Sequence, residues 1–498
     1  MRYIGIRYRI KQTAKKEARP TQVAILDEQG KVRRYDLETE QAEYDWLRGR
    51  YPTKYRVSQA GEDISLIPQH QIIWKRAKAG VNLEEHISRQ NPETKKTDVQ
   101  IARIPIEWDG YQAEDQVGLV LSGSANPLAY ALSRRGERIG AAAYRLNSKT
   151  LSEHRSAKLG LDNQPTPLTD KTSKDDDSLI VAELLRDNMD LFYPVTPRER
   201  DMIDLVEKYR SRQIIQHERI KCEQRIRHNM KNRLYLDPDG DYPERELEVL
   251  YGEHRANNKI FKAHSDEEKA REKELAAAIK KYDVYQVLFK NLTGVGVMIA
   301  TRILVAVKDV RLFATKHKLK AYLGAHVMRG GKYGDRPRSV QFPRRRKGAH
   351  ANWHADGRQG LYLLAEQCNR RPGSHWGQRL LANKAHFRAV HPEPIEVEEA
   401  VVRFDNGQPV VTKKSRVRTL WTNGHVHNSA KWRTITQFVE TLWRDWTYLE
   451  KCIQEGIPVN DLAYEWMMPP QPDAGSGEFT LVEDPGAEES EIKDESVA

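Results

Sequence analysis

The sequence predicts a mixed α/β layer in the first 195 residues and a mainly helical remainder. Three short stretches near the N-terminus predict strands, at 3–6, 22–26 and 31–35, and the turn at 27–30 predicts that the last two form a hairpin. The apolar run at 116–121 predicts a buried strand, and a helix at 127–135 and a strand near 139–144 are predicted after it. Because strand–helix–strand order is typical of a mostly parallel sheet, we expect an α/β fold in this part of the chain.

From residue 197 onward the apolar residues recur at helical spacing among many charges. Pro197 lies where a first-turn proline is expected, and the polar stretch 236–243 separates a first helix from a second at about 244–282. Two amphipathic helices that pack within their own domain would produce this pattern. A coiled-coil arm that joins copies of the chain would also produce it.

We expect five segments along the chain. They are an α/β domain at 1–195, a helical or coiled-coil arm at 197–290, a basic C-terminal domain at 291–392, a strand hairpin with an aromatic helix at 393–468 and a tail at 469–498. The fourth segment has predicted strands at 397–404 and 409–412 and a predicted helix at 430–452. The tail is acidic and contains Gly, Pro and Ser, so we expect it to be disordered.

The charge of the chain favours a polyanionic partner. The formal net charge is +11, although the tail from residue 470 carries nine acids against Lys493, so the rest of the chain carries about +19. No apolar run approaches the roughly 18 residues of a membrane helix, and no signal peptide is expected. The three cysteines are far apart and predict neither disulfides nor a zinc site. We expect a cytoplasmic, nucleoid-associated protein that does not contact a membrane.

The stretch 292–304 has the pattern of a helix-hairpin-helix. Gly294 and Gly296 are expected to form a tight turn, because only glycine accepts a positive φ without steric cost. A second helix is expected to start at about Val297, where its free N–H groups and its dipole favour a phosphate. A plain turn between two helices is the simpler interpretation of the same glycines.

A run of cations follows this turn and favours the phosphate-binding interpretation. Eight cations, opposed only by Asp335, lie within about twenty residues: Arg329, Lys332, Arg336, Arg338, Arg344, Arg345, Arg346 and Lys347. Most are arginines, which bind phosphate in a bidentate manner. We therefore predict that 292–360, including both glycines and these eight cations, binds nucleic acid. With about six phosphate contacts, affinity for duplex DNA should fall with salt at a log–log slope of roughly −5.

The order of these parts resembles the insertion-sequence-110 family of transposases. The best match is Leu-Thr-Gly-Val-Gly-Val-Met-Ile-Ala at 292–300 together with Lys-Ala-Tyr-Leu-Gly at 320–324, which looks like the family's C-terminal transposase domain. The residues at 118–132 and 171–182 resemble parts of the family's ribonuclease-H-like N-terminal domain. A helical arm lies between the two domains in the family.

This resemblance implies a DNA target, a structured guide RNA as partner and homo-oligomers assembled through the arm. It also implies four acids that bind Mg²⁺ and a serine nucleophile just after the Tyr-Leu-Gly turn. The four acid positions fall, in order, on Arg7, Ser122, Lys174 and Asp177. The serine position falls on Arg329, and Ser339 follows ten residues later. Asp177 is therefore the candidate metal ligand, and Asp177 and Ser339 are the candidate catalytic residues, with Mg²⁺ as cofactor if the protein is active.

Several of these residues also have ordinary interpretations. The acids Asp27, Glu114 and Asp115 can rebuild a metal site, but each also fits a turn or a strand end. The acidic run at 175–177 is typical of a helix start, where acids cap the helix and complement its dipole.

Two histidine pairs and a group of aromatic residues also require interpretation. His350 and His354 are four residues apart and can share one helix face as metal ligands, although contact with phosphate or a base is the preferred interpretation. His425 and His427 lie in a predicted strand or turn before the aromatic helix. The aromatic residues of that helix predict a packed core, with base stacking as the alternative: Trp432, Phe438, Trp443 and Trp446.

The leading hypothesis is a transposase-like DNA-binding protein with impaired strand cleavage. It depends on the predicted nucleic-acid-binding stretch at 292–360. It also depends on the cations Arg7, Lys174 and Arg329, which occupy positions where the family has two of its acids and its serine. Two alternatives are an active recombinase with a rebuilt metal and serine site, and a non-enzymatic RNA-binding structural protein.

Overall fold

The computed structural model of the chain divides into two compact units, Met1–Asp204 (unit 1) and Leu205–Ala498 (unit 2). The structure describes residues 1–9, 19–93, 98–120, 125–158, 176–240, 242–326, 332–333, 336–337, 353–391, 395–405, 408–418 and 422–457. Helices and strands both occur in this part of the chain, so the mixed α/β prediction is confirmed. None of its helices is long and apolar enough to cross a membrane.

Unit 1 contains most of the strands. Its described strands are β1 (Arg2–Arg7), β2 (Thr21–Asp27), β3 (Val32–Leu37), β4 (Tyr51–Val57), β5 (Ile73–Arg76), β6 (Ser88–Gln90), β7 (Val99–Asp109), β8 (Asp115–Val120), β9 (Ala142–Leu146) and β10 (Phe192–Pro194). Its described helices are α1 (Glu40–Leu47), α2 (Asn126–Ile139), α3 (Ser148–Lys158) and α4 (Asp177–Asp187). The predicted strands at 3–6, 22–26, 31–35 and 116–121 correspond to β1, β2, β3 and β8.

The main sheet of unit 1 has six strands in the order β10-β9-β8-β1-β2-β3. The three central strands β9, β8 and β1 are parallel, whereas β2, β3 and β10 pair antiparallel to their neighbours. The carboxyl ends of the three parallel strands therefore lie at one edge of the sheet. Arg7 ends β1 at that edge.

Two glycines in the central strands allow α4 to pack closely on the sheet. A Cβ at Gly5 in β1 would lie 1.8 Å from the carbonyl oxygen of Ser178, and one at Gly118 in β8 would lie 2.9 Å from side-chain atoms of Val181 and Phe192. The backbone of α4 thus lies directly over β1. This close approach fixes the position of the first residue of α4, Asp177.

A second sheet in unit 1 is formed by strands between residues 51 and 109, where the sequence predicts no strand. Strands β4, β7 and β5 pair in that order, and β6 also pairs with β7. All of these pairs are antiparallel. The pairing of β4 with β7 shifts register at Pro52, Lys54 and Tyr55, which breaks the simple alternation that would have indicated a strand.

Unit 2 begins with a helical hairpin. Helix α5 (Pro197–Tyr235) crosses from unit 1 into unit 2, and α6 (Leu247–Asn257) and α7 (Lys259–Ile279) follow it. Cys222, Ile226 and Met230 of α5 form a buried cluster with Tyr251 of α6. The prediction of one helix at 244–282 is wrong, because the extended Asn258 ends α6 and caps α7 with its side chain.

The remaining helices of unit 2 form a second packed region. They are α8 (Val297–Val307), α9 (Lys316–Tyr322), α10 (Ala355–Arg370), α11 (His375–Val390) and α12 (Asn423–Glu455). A Cβ at Gly357 of α10 would lie 2.9 Å from the Cβ of Ala306, so α10 crosses α8 closely. Helix α12 begins earlier than predicted, because Thr422 and His425 form a capping box.

The described part of unit 2 also contains four strands. They are β11 (Lys332–Tyr333), β12 (Arg336–Pro337), β13 (Ile395–Asp405) and β14 (Gln408–Arg418). They form two antiparallel pairs, β11 with β12 and β13 with β14. The predicted hairpin at 397–404 and 409–412 is confirmed, and its strands are longer than expected.

Replacing Gly5 with alanine should destabilise unit 1 by about 3 kcal/mol or more, because the added methyl group meets backbone rather than a mobile side chain. Hydrogen exchange of the β1 and α4 amides in the full chain measures this loss. The matched control is Gly252→Ala on α6, where a Cβ meets nothing within 4 Å. That control should be neutral or slightly stabilising, since alanine favours helix over glycine. Equal protection of β1 and α4 in Gly5→Ala and wild type would contradict this packing.

Candidate functional site

Asp177 forms a buried ion-pair cluster with two arginines. Arg155 Nε donates to Oδ1 of Asp177 at 2.7 Å, and Arg155 Nη2 donates to Oδ2 at 2.9 Å. Arg7 Nε lies 3.8 Å from Oδ2 of the same carboxylate. All three residues are buried: Asp177 is 4% exposed, Arg155 is 7% exposed and Arg7 is 9% exposed. We call this group the Asp177 cluster.

Three elements bring the Asp177 cluster together. Arg7 ends β1, Arg155 lies on α3, and Asp177 is the first residue of α4. Arg7 also donates from Nη1 to Oε1 of Gln22 on β2, at 3.0 Å, which helps to orient its guanidinium. A carboxylate in the first turn of a helix is also favoured by the helix dipole.

The Asp177 cluster does not fit the Mg²⁺ that the family resemblance implies. Magnesium needs several oxygen ligands that converge on one point, whereas two guanidinium groups surround this carboxylate. Across the described ranges, no three His, Cys, Asp or Glu side chains are grouped so that they could hold a metal ion. Ser122 and Lys174, at two of the family's acid positions, lie outside the described residues.

The capping part of the interpretation of the 175–177 run is wrong for Asp176, whereas Asp177 lies in the first turn of α4, as the dipole part expects. Asp176 is the N-cap of α4 but makes no side-chain cap hydrogen bond. It instead pairs with Arg34 of β3 at 2.8 Å. Asp175 lies outside the described residues. The acids at this helix start therefore bind arginines.

The acids considered for a rebuilt metal site lie at the other end of β1. Asp115 accepts hydrogen bonds from Arg2, at 2.8 and 2.6 Å, and Arg2 is also the register partner of Asp27. Arg2 and Arg7 are the two ends of β1, so roughly 16 Å of strand separates them. Glu114, next to Asp115, has a positive φ of 62° and occupies the turn before β8. These acids cannot join Asp177 around one ion.

Another buried arginine lies near the same edge of the sheet. Arg145 is the penultimate residue of β9 and donates to the side chain of Asn126 at the start of α2. Burial lowers the pKa of Arg145, and Glu199 at 3.7 Å opposes that shift. The carboxyl edge of the parallel strands therefore carries arginines beside its carboxylates.

The predicted helix-hairpin-helix turn is formed mainly by one glycine. Gly294 has a φ of +92°, whereas Gly296 has a φ of −75° and is extended. The expectation that both need a positive φ is therefore wrong for Gly296. Helix α8 starts at Val297 as predicted, with no side-chain cap from the described residues.

The approach to this helix start is open and has a cation beside it. A Cβ at Gly296 would meet nothing within 4 Å, so an incoming group has room there. A Cβ at Gly294 would lie 3.5 Å from Nη1 of Arg371, which is exposed at the end of α10. A phosphate at the start of α8 would therefore lie near a guanidinium group as well as free N–H groups.

The basic run lies almost entirely outside the described residues. This holds for Ser339 and for six of the predicted cations: Arg329, Arg338, Arg344, Arg345, Arg346 and Lys347. Lys332 and Arg336 belong to β11 and β12, of which the structure describes the backbone pairing. None of these positions can therefore be compared with the prediction.

The two ends of the segment 327–352 are held together by described residues. The backbone N–H of His354 donates to the carbonyl oxygen of Tyr322 at 2.7 Å. A Cβ at Gly324, which has a φ of +66°, would lie 2.8 Å from Cγ of Trp353. Tyr322 and Gly324, which precede the segment 327–352, therefore contact His354 and Trp353, which follow it.

Arg358 packs between two indole rings at the same junction. Its guanidinium carbon lies 4.9 Å from the ring centre of Trp353 and 4.6 Å from that of Trp432. Burial, and then the charge of Arg358, lower the pKa of His326, the last described residue before the basic segment. The junction therefore combines stacked aromatic and cationic groups.

The aromatic helix α12 serves mainly as core. Phe438 and Trp446 are fully buried, and Trp443 donates from Nε1 to the carbonyl oxygen of Phe313 at 2.9 Å. Trp432 stacks on Arg358, so its ring is also engaged within unit 2. These contacts support a packed core over base stacking for this helix.

The described residues do not support the alternative interpretation of His350 and His354 as a metal pair. His354 is the N-cap of α10, and its Nδ1 accepts a hydrogen bond from the N–H of Gly357 at 3.1 Å. His350 lies outside the described residues. His425 takes part in the capping box of α12, within the first helical turn rather than in a strand.

Sequence reasoning missed Arg155, Arg371 and Arg358. Arg155 lies on a charged helix with no motif around it, so only its position next to Asp177 shows its role. Arg358 lies within the predicted stretch 292–360 but after its basic run, and Arg371 lies beyond that stretch. Comparison with known proteins adds nothing to this assignment: no protein-family model matches the chain, and no protein of curated function matches it.

Replacing Asp177 with alanine should destabilise unit 1 by about 3–5 kcal/mol, because Arg155 and Arg7 would lose a buried counter-ion. Hydrogen exchange of α3 and α4 in the full chain measures the change. The double variant Arg155→Leu with Asp177→Leu should lose less than the sum of its two single variants, since they share one interaction. Additive losses would contradict a direct ion pair.

Replacing His354 with asparagine should remove part of the pH dependence of unit 2. Burial, aided by Lys308 and opposed by Asp356, lowers the pKa of His354. The pKa of His354 is therefore lower in the folded protein than its value of about 6.5 in the unfolded chain. The free energy of unfolding decreases as the pH falls from about 6.5 towards the pKa of the folded state. Asparagine keeps a capping oxygen and does not titrate. As the pH falls below about 6.5, the free energy of unfolding of the full chain should decrease more in wild type than in His354→Asn. Equal losses in the two proteins would contradict the capping role of the neutral ring.

Proposed function

We propose that this chain is a transposase-like DNA-binding protein of the insertion-sequence-110 type that has little or no strand-cleaving activity. The observation that carries the proposal is the Asp177 cluster. Two arginines neutralise the carboxylate that the family resemblance would assign to a metal ion. Such a site can hold its elements together but cannot assemble the oxygen ligands that metal-assisted hydrolysis needs.

The order and direction of the strands in unit 1 support the ribonuclease-H-like part of this proposal. Three antiparallel strands, β3, β2 and β1, continue into the parallel strands β8 and β9, and α4 packs across β1. In a sheet of this kind, side chains at the carboxyl edge of β1 and at the start of α4 lie close together. The chain has Arg7 and Asp177 at those two places.

Unit 2 supports the binding half of the proposal. The open start of α8 beside Arg371 offers free N–H groups and a guanidinium to one phosphate. The residues that flank the segment 327–352, which carries the eight cations in the sequence, meet beside the Trp353–Arg358–Trp432 stack. The DNA target, a structured guide RNA and assembly through the helical arm follow from the resemblance and belong to the same proposal.

A nicking and binding assay on the full chain tests the proposal. With Mg²⁺ or Mn²⁺, and with or without co-purified RNA, supercoiled DNA should remain uncut. The same DNA should be bound with a log–log salt slope of roughly −5. The triple variant Arg344→Ala, Arg345→Ala, Arg346→Ala should reduce the magnitude of that slope by about 2–3.

Metal-dependent nicking that disappears in Asp177→Asn would overturn the inactive assignment and favour the active recombinase. Tight binding of RNA without any binding of DNA would favour the structural RNA-binding protein instead. Nicking that persists unchanged in Asp177→Asn would come from another site or another protein, and would leave Asp177 without a catalytic role.

A further inference from the structure

Helix α5 has a packed face and an exposed face with different chemistry. Its packed face carries the buried residues Cys222, Ile226 and Met230. The exposed side, which we call the outer face of α5, consists of His217, Lys221, Gln224, Arg225, His228, Lys231, Asn232 and Tyr235. These residues recur at steps of three and four, so they share one side of the helix.

The outer face of α5 contains no carboxylate. The two acids in this part of the helix, Glu218 and Glu223, lie beside it and are engaged by cations. Glu223 accepts from Arg255 at 2.7 Å, toward the packed side, and Glu218 accepts from Lys221 at 2.8 Å. The outer face is therefore cationic and amide-bearing.

The ion pairs that hold the hairpin do not use these outer cations. Arg212 and Arg219 of α5 reach Glu268 of α7 at 2.8 and 2.5 Å, on the side where the helices pack. Arg227 pairs with Glu248 of α6. The cations of the outer face therefore contribute little to the packing of α5 on α6 and α7. The presence of cations without acids on this face needs another explanation.

The exposed surface of α7 carries both cations and acids, so a helix face with only positive charges is not a general property of this hairpin. On α7, Lys269 lies 3.6 Å from Asp266, and Arg271 lies between Glu267 and Glu274 at 2.7 and 3.2 Å. Cations and acids alternate there, as on an ordinary solvated helix. The two long helices of the hairpin thus differ in charge pattern although both face solvent.

We propose that the outer face of α5 is a second DNA-binding surface, which binds duplex DNA. From Lys221 to Tyr235 it extends about 21 Å at 1.5 Å per residue, with a cation or an amide in each turn. Cations at this spacing can follow phosphates, and Gln224 and Asn232 can reach base edges between them. The inference rests on the proposed function, because it assumes that the chain binds DNA.

The shape of the surface selects DNA over duplex RNA. The major groove of B-form DNA is about 12 Å wide and admits an α-helix. The major groove of A-form RNA is too deep and narrow for side chains to read. A helix that presents one cationic, amide-bearing face therefore suits the DNA groove.

Charge-matched variants of the full chain test this surface. The triple variant Lys221→Ala, Arg225→Ala, Lys231→Ala removes three positive charges from the outer face. The control Lys262→Ala, Lys269→Ala, Lys273→Ala removes three from exposed positions on α7. Alanine favours helix at every one of these positions, so both variants should keep wild-type circular dichroism.

The salt dependence of DNA binding should separate the two variants. The α5 variant should reduce the log–log slope by about 2–3, whereas the α7 control should leave it within about 0.5 of wild type. Equal changes in both variants, or no change in either, would overturn the proposal and leave the proposed function intact. A loss confined to duplex RNA would also overturn it, and absence of all DNA binding in wild type would overturn both.

Photocrosslinking reports which helix lies next to the bound DNA, and a change in net charge alone does not alter that position. Cys222, Cys368 and Cys452 are buried, so Gln224→Cys introduces an exposed thiol for a photoreactive group. The matched position on α7 is Lys269→Cys. Duplex DNA should crosslink to residue 224 and not to residue 269, and the reverse pattern or equal crosslinking would contradict a DNA surface on α5.

Discussion

The bidentate pair between Arg155 and Asp177 is the interaction on which unit 1 depends most. It joins α3 to the first turn of α4, and Arg7 extends it to the end of β1. Removing two charges from water costs several kcal/mol per ion, so the pair persists only because both carboxylate oxygens receive N–H donors. The ion pair also requires a glycine in β1, because Gly5 lets α4 approach β1 closely enough for Asp177 to contact these arginines. Asp177 thereby joins α3, α4 and the end of β1 through its two carboxylate oxygens.

Unit 2 contains a half-buried cation that contacts aromatic rings, whereas the arginines of the Asp177 cluster contact a carboxylate. The guanidinium of Arg358 lies 4.9 Å from the ring centre of Trp353 and 4.6 Å from that of Trp432. Next to it, the N–H of His354 donates to the carbonyl oxygen of Tyr322, and Gly324 approaches Trp353 closely. These contacts join the residues on the two sides of the segment 327–352.

The sequence predicted the central strands and the start of α8 because both have strong local signals. The apolar run of β8 and the glycine turn before Val297 are each encoded within a few neighbouring residues. Arg155 was not predictable in this way, since it lies 22 residues from Asp177 and 148 from Arg7 along the chain. The sheet formed by β4–β7 was missed because register shifts hide its alternation. At the candidate site, the sequence singled out Arg7 and Asp177, and the tertiary contacts added Arg155.

Metal binding by the full chain tests the central claim most directly. Electron paramagnetic resonance of Mn²⁺ added to the protein distinguishes bound from free ions without requiring any DNA cleavage. If Arg155 and Arg7 neutralise Asp177, wild type and Asp177→Asn should bind the same small amount of Mn²⁺. One Mn²⁺ bound per chain in wild type, and lost in Asp177→Asn while the fold is retained, would contradict the account.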